Sequence, residues 1–257
     1  MIEVDNISFA YEKNKYIYEH LSFKINKGDL VLILGQNGSG KSTLLKCMCG
    51  INKPSKGQVL LDGQDLKNIS FKERAKYFSY LSQEGLGKTD IRVLDLVMMG
   101  RTPHKDYFSY PGREDEKIAK EKLSQLSIMD LEDRSFSDLS GGQKQLVMIA
   151  ASLSQEADLL VFDEPTAPLD FKSQYSFLKT IKNLNEAGKT IILTSHNPDH
   201  ALALEARTLM IKDGHILLDG LAKSVITEAS MEKLYGVKTS LLVHQGQKRI
   251  LANFKNY

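Results

Sequence analysis

Two segments near the N-terminus alternate apolar and polar positions. The first runs from Ile2 to Tyr11 and carries Ile2, Val4, Ile7 and Phe9; the second runs from Ile17 to Ile25, and the polar turn EKNK separates them. A period of two predicts strands with one buried face, so the pair reads as an antiparallel β-section. The next run, DLVLILG from Asp29 to Gly35, has no alternation. An unbroken apolar run fits a strand buried on both faces, and it feeds a glycine-rich turn and a helix. Further apolar runs stand at YFSYLSQ, DLLVFDE, TIILTSH and TLMIKDG, the last three separated by helical stretches, which predicts an α/β core with a parallel-type sheet.

Between Gln83 and Leu139 the pattern changes. RVLDLVMMG and EDEKIAKEKLSQLSIM have helical periodicity, and the linker RTPHKDYFSYPGR between them is rich in Pro, Gly and aromatics. An inserted α-helical subdomain is expected over residues 84–156, within a core and β-subdomain formed by 1–83 and 157–257. After His196 short strands resume around a turn at KDGH, and the chain closes on MEKLYGV and the alternating TSLLVHQ. No repeat or low-complexity tract is present.

Composition narrows the class. With 257 residues, 42% hydrophobic and 26% charged, the chain is an ordinary globular one with enough length to bury a core. Its 34 basic and 32 acidic residues leave a formal charge of +2, which gives no overall footprint for nucleic acid. No apolar run approaches the ~18 residues of a membrane span, and the N-terminus lacks the basic and apolar regions of a signal peptide. The chain is therefore expected not to enter the bilayer. Cys47 and Cys49 lie two apart in a helical pattern, where side chains diverge. They read as half-buried fillers in a reducing cytoplasm rather than a disulfide or a metal clamp. His20, His104, His200, His215 and His244 show no metal-ligand spacing.

The candidate chemistry begins at GQNGSGKST, Gly35 to Thr43. Gly35, Gly40, Lys41 and Ser42 fit the P-loop pattern, directly after a buried strand and before a helix. Backbone N–H groups surround a phosphate only where side-chain bulk is small, hence Gly35, Gly38 and Gly40, with Asn37 and Ser39 between them. Lys41 is placed to reach the outer phosphates, Ser42 to give its hydroxyl to Mg²⁺, and Thr43 to support the phosphates from the same turn. The order G-x-x-G-x-G excludes a dinucleotide fingerprint, which needs G-x-G-x-x-G. Far downstream, LLVFDE ends a strand on Asp163 and Glu164. Paired with a P-loop, Asp163 is a Mg²⁺ holder and Glu164 a general base for the attacking water.

The segment LSGGQ, Leu139 to Gln143, stands about twenty residues before Asp163. It resembles the signature of ATP-binding-cassette (ABC) ATPases, and Ser140, Gly141 and Gly142 form a small-residue helix start whose N–H groups and hydroxyl can face an anion. Gln83 after YFSYLS, Asp170 in APLD and His196 in TSH complete an ordered set, so the resemblance covers nearly the whole chain. It implies that Tyr11 stacks on adenine, that Gln83 contacts Mg²⁺ and the attacking water, and that His196 contacts the γ-phosphate. It also implies a head-to-tail dimer of two copies, in which Ser140 and Gly142 of one chain cap the γ-phosphate bound by Lys41 of the other, with Gly141, Gln143 and Asp170 as further nucleotide-binding positions. Two departures are visible: Pro168 in the loop before Asp170, and Ala151 where many relatives carry Arg.

The stretch VLDLVMMGRTPH, Val93 to His104, is similar to the insert of importers of iron siderophores, haem and cobalamin, as are DEPTAPLDFKSQ and the tail LYGV. The resemblance thus implies an ATP-hydrolysing subunit on the cytoplasmic face of the membrane. Its partners would be integral membrane subunits and, through them, an extracytoplasmic substrate-binding protein. The alternatives are a soluble cassette ATPase, as in iron–sulfur assembly, or the ATPase subunit of another importer or exporter.

Overall fold

A computed structural model describes residues 1–13, 15–83, 89–105 and 110–252. From the N-terminus come strands β1 (Ile2–Glu12), β2 (Lys15–Ile25) and β3 (Leu30–Leu34), helix α1 (Lys41–Met48), then β4 (Lys56–Leu61) and β5 (Gln64–Asp65). Next are α2 (Phe71–Tyr77), β6 (Phe78–Leu81), α3 (Val93–Met99), α4 (Arg113–Gln125), α5 (Gly141–Ser154), β7 (Leu159–Phe162) and α6 (Phe171–Glu186). The last part holds β8 (Thr190–Ser195), α7 (Pro198–Leu204), β9 (Arg207–Lys212), β10 (His215–Leu221), α8 (Ala222–Val225), α9 (Glu228–Tyr235), β11 (Thr239–His244) and β12 (Gln247–Ala252). Two compact units result: Met1–Asn68 with Thr190–Tyr257, and Ile69–Lys189. Among the described residues no helix is long and apolar enough to cross a membrane.

In the first unit, β1 and β2 pair antiparallel as their alternation predicts, burying Ile2, Val4, Ile7 and Phe9 from β1 and Leu21, Phe23 and Ile25 from β2. The section does not end there. β4 adds to the other side of β1, with Ile2 opposite Leu61 and Val4 opposite Val59, and β5 extends it to the order β2-β1-β4-β5. Local alternation could not reveal a partner strand some fifty residues downstream. The second sheet element of this unit has β3 paired in parallel with both β8 and β9, and β10 antiparallel to β9. Val31 to Leu34 are all fully buried, which is why this strand carries no polar alternation. Cys47 and Cys49 are both buried free thiols. Burial pushes the Cys47 thiol up to about 11, so it stays protonated and unreactive at neutral pH.

In the second unit, β6 and β7 pair in parallel, Phe78 opposite Leu159 through Leu81 opposite Phe162. Helices α3, α4 and α5 pack on one another through Val93, Leu94, Val97, Ala119, Leu123, Val147 and Ala150. The expected helices at 92–100 and 114–129 are thus present, the second ending at Gln125. Residues 106–109 of the linker between them lie outside the described residues.

Candidate active site

The phosphate loop lies in the first unit. It leaves the buried end of β3, turns at Gly38 and Gly40, both at positive φ (80° and 89°), and enters α1 at Lys41. A side chain at Gly40 would bring its Cβ to 2.6 Å from Ile17 Cγ2, and one at Gly35 would sit 2.6 Å from the Ile211 carbonyl oxygen. Two glycines are therefore fixed by the close approach of β2 and β9, and the loop stays narrow. Lys41 is buried, and its Nζ donates to the carbonyl oxygens of Gly35 (2.9 Å) and Gln36 (3.0 Å). Its ammonium is thereby held against the loop instead of trailing into solvent.

Two features suit this loop to an anion. Helix α1 has no side-chain cap, so the N–H groups of its first turn receive nothing from the cap residue. The Ser39 hydroxyl is buried and has no hydrogen-bond partner among the described residues. An orphaned hydroxyl beside an uncapped helix start is satisfied by phosphate oxygens, which accept several hydrogen bonds at once.

Beside the loop opens a cavity of about 560 Å³, lined by Tyr11, Tyr16 and Ile17 from the β1–β2 hairpin, by Gln36 to Ser39, and by Lys212 to Gly214 from the β9–β10 turn. Its volume is that of a nucleotide-sized ligand site. Tyr11 is 66% exposed, meets Phe9 edge-on at 4.9 Å, and has its hydroxyl 3.3 Å from Thr43 Oγ1. The aromatic platform and the loop are thus tied to each other. Tyr16 escaped the sequence reading although it lines the same cavity; Lys56 Nζ lies 5.4 Å from its ring centroid. Gly214 also escaped it: a Cβ there would strike the Ile17 backbone, so the turn closes against the hairpin only with glycine.

His196 follows β8 and is exposed, whereas Ser195 before it is buried. Asn197 caps α7, with Pro198 in its first turn, and Ser195 Oγ accepts from the Asn197 N–H at 3.0 Å. This is a strand end turning sharply into a helix, which holds one exposed imidazole in place.

The second unit holds Gln83, the signature, Asp163, Glu164 and Asp170. The parallel pairing of β6 and β7 puts their C-terminal ends side by side, and the Asp163 N–H donates to the Leu81 carbonyl at 2.9 Å. Gln83, two residues past Leu81, is exposed beyond this edge, while Asp163 and Glu164 are 1% and 5% exposed. Tyr80 Oη lies 3.5 Å from Asp163 Oδ2. A buried carboxylate at a strand end, with Gln83 two residues past the end of the neighbouring strand, offers oxygen ligands of the kind that suit a hard cation completed by phosphate and water.

Ser140 and Gln143 form a reciprocal capping box: the Gln143 N–H donates to Ser140 Oγ (3.3 Å) and the Ser140 N–H to Gln143 Oε1 (3.0 Å). Gly141 has open space on its Cβ side and no positive φ, so its own fold does not demand glycine. Gly142 faces the Pro168 carbonyl, which a Cβ would meet at 3.5 Å. Pro168 therefore sits in a turn that also holds the Leu169 N–H on the Thr166 carbonyl at 3.1 Å. Asp170 caps α6 by accepting from the Ser173 N–H at 2.7 Å, and this hydrogen bond holds its carboxyl below the usual range.

The insert motif divides in two. Met99 is 54% exposed, but Gly100 and Arg101 point inward: a Cβ at Gly100 would meet the Ala151 carbonyl and Ser154 Oγ. Ala151 thus lies at the close approach of α3 and α5. Arg101 is 8% exposed and binds Asp115, Glu156 and the Ser154 carbonyl.

Known proteins agree with this architecture. A probable iron chelatin transport ATP-binding protein of Helicobacter pylori is 33% identical over 98% of this chain and 99% of its own length. An inward-facing structure of a putative metal-chelate type ABC transporter matches 99% of this chain and 98% of its own, at 28% identity and a TM-score of 0.85. A dimeric, post-hydrolysis ATP-binding cassette bound to ADP and Pi matches 86% of this chain and 99% of its own, at 27% identity and a TM-score of 0.76. The family profile described as ABC transporter matches residues 18–167. With a phosphate loop, an open tyrosine-lined cavity and a capped LSGGQ helix in one chain, this protein belongs to the ABC transporter family as an ATP-binding subunit that hydrolyses ATP.

Proposed function

We propose that two copies of this chain, bound to integral membrane subunits on the cytoplasmic face of the membrane, power the import of a metal chelate such as an iron siderophore, haem, or cobalamin. The observation that carries this reading is the end-to-end likeness to the metal-chelate type transporter, helical insert included. The H. pylori relative, named for iron chelatin transport and similar over nearly its full length, points the same way. An extracytoplasmic substrate-binding protein would deliver the cargo.

In this reading the base of ATP lies in the cavity against Tyr11, and its phosphates lie on Gly35, Asn37, Gly38, Ser39, Gly40, Lys41 and Thr43. Ser42, Asp163 and Gln83 are the residues that would hold Mg²⁺, which would supply neutralising charge to the phosphate oxygens. Glu164 takes a proton from the attacking water, and His196 contacts the γ-phosphate and keeps that water and Glu164 in geometry. Gln83 also reports the state of the membrane subunits. The head-to-tail dimer is supported by Gly141, whose own fold leaves the space on its Cβ side open and does not demand glycine. That space suits the γ-phosphate of a nucleotide on the other copy, which Ser140 and Gly142 would cap; Gln143 and Asp170 are further nucleotide-binding positions. Closure of the two copies moves the inserts around Val93 to His104 and changes the access of the membrane subunits; hydrolysis resets them.

The test is growth and radiolabelled uptake in a strain lacking this chain, with iron siderophore, haem and cobalamin in turn. Loss of uptake of one of them, restored by the wild-type chain and not by Lys41→Ala, is expected. Unimpaired uptake of all three in a strain without a parallel transporter refutes the import reading. Membrane subunits should co-purify with the chain from detergent-solubilised membranes; their absence would favour a soluble cassette ATPase.

A further inference from the structure

The last helix of the described chain reaches the backbone of His196. Helix α9 begins in a capping box, with the Ser230 N–H donating to Thr227 Oγ1 at 3.1 Å and the Thr227 N–H to Ser230 Oγ at 2.9 Å. It buries Met231 and Leu234 completely and ends at Gly236, whose φ of 73° lets its N–H close on the Glu232 carbonyl at 2.8 Å. Both ends are fixed, so the last turn is a rigid mount. From this turn the Tyr235 hydroxyl donates to the His196 carbonyl oxygen at 2.8 Å. On its other side the same turn is held by Lys212, whose Nζ donates to the Lys233 carbonyl at 2.7 Å. Lys212 is a wall residue of the nucleotide cavity. One helix end thus joins the cavity wall to the backbone of His196.

We infer that Tyr235 is a positioning residue for His196: its hydroxyl fixes the peptide that carries the imidazole. Ser195 and Asn197 are anchored on either side by their own hydrogen bonds, Ser195 Oγ to His200 Nδ1 at 3.1 Å and Asn197 Oδ1 to the Asp199 N–H at 2.9 Å. His196 itself is exposed. The Tyr235 contact therefore acts on the exposed residue of this turn, and rotation of its peptide would swing the ring. The inference rests on the reading of His196 as the γ-phosphate contact. Tyr235 touches no reacting atom and acts only through that residue.

Tyr235→Phe keeps the ring and removes the donor. Steady-state ATPase of the purified full-length chain should show kcat lowered about two- to ten-fold, the range that one hydrogen bond commands. The KM for ATP, the affinity for ATP and the melting temperature should stay at wild-type values, which a merely structural defect would not leave untouched. Single-turnover hydrolysis of radiolabelled ATP then compares His196→Ala with the Tyr235→Phe, His196→Ala double variant. Equal rates are expected, because without the imidazole nothing remains to be positioned. Wild-type kcat in Tyr235→Phe, or a defect that repeats in full on the His196→Ala background, overturns the inference. Wild-type turnover in His196→Ala alone overturns instead the assignment of His196 on which it rests.

Discussion

Replacing Arg101 by Met should cost this protein about 3–4 kcal/mol of stability. Arg101 is 8% exposed; its Nη1 donates to the Ser154 carbonyl at 2.8 Å and to Glu156 Oε2 at 2.9 Å, and its Nε to Asp115 Oδ1 at 3.3 Å. Asp115, 2% exposed, also receives Lys105 Nζ at 2.5 Å and the Gly112 N–H at 2.8 Å. Hydrogen bonds to charged groups contribute about 1.5–3 kcal/mol each, so the two buried ones together amount to about 3–6. Lys105 keeps Asp115 partly paired, which places the loss in the lower half. The Glu156 side chain is 44% exposed and adds under about 1 kcal/mol. Met preserves the aliphatic stem, so no large cavity adds to this. The chain has no Trp, so urea unfolding followed by far-UV circular dichroism is the assay. With m near ~3 kcal/mol/M the midpoint should fall by about 1 M. Lys24→Met is the control, since Lys24 pairs with Glu3 at 2.9 Å on the surface, 67% and 38% exposed, and should lose under about 1 kcal/mol. An Arg101→Met shift no larger than that of Lys24→Met would refute the reasoning. Acid supplies a second check. Burial raises the Asp115 carboxyl, but Lys105, the Gly112 N–H and Arg101 together hold it net below the usual range. A depressed folded value contributes stability that is complete above the unfolded value of about 3.9 and is lost as pH falls through the folded one. The gap between wild type and Asp115→Asn should therefore be constant near neutrality and close only below about pH 4.

Glu164→Gln should retain ATP binding, slow hydrolysis by roughly 10²–10⁴-fold, and leave an ATP-bound dimer long-lived enough to isolate by gel filtration; wild-type turnover would remove Glu164 as the base. Ser140→Arg should bind ATP normally and fail to hydrolyse it, because its defect falls on the nucleotide of the other copy. Mixing Ser140→Arg with Lys41→Ala chains yields dimers with one doubly defective and one intact site, so part of the activity should return; no recovery at any ratio counts against a head-to-tail arrangement with independent sites.

Much of this protein is legible in short stretches of its sequence. The alternation of Ile2, Val4, Ile7 and Phe9 specifies a half-buried strand, and the unbroken Leu30–Leu34 run specifies a fully buried one, because strand side chains alternate faces with a period of two. Gly38 and Gly40 mark positive φ, and Ser140 with Gln143 marks a helix start, because turn and cap chemistry depends only on neighbouring residues. Other features needed the tertiary structure. That β4 completes the sheet begun by β1, that Tyr16 and Gly214 join Ser39 around one cavity, and that Tyr235 meets His196 are all contacts between distant segments. Arg101 makes the same point: it is buried between helices that approach closely because Gly100 has no side chain, and that approach is not visible in the sequence around it. Local periodicity determines which face of an element is apolar. Which residue of another element covers that face depends on strand register and helix approach, and those follow from the packing of the whole unit.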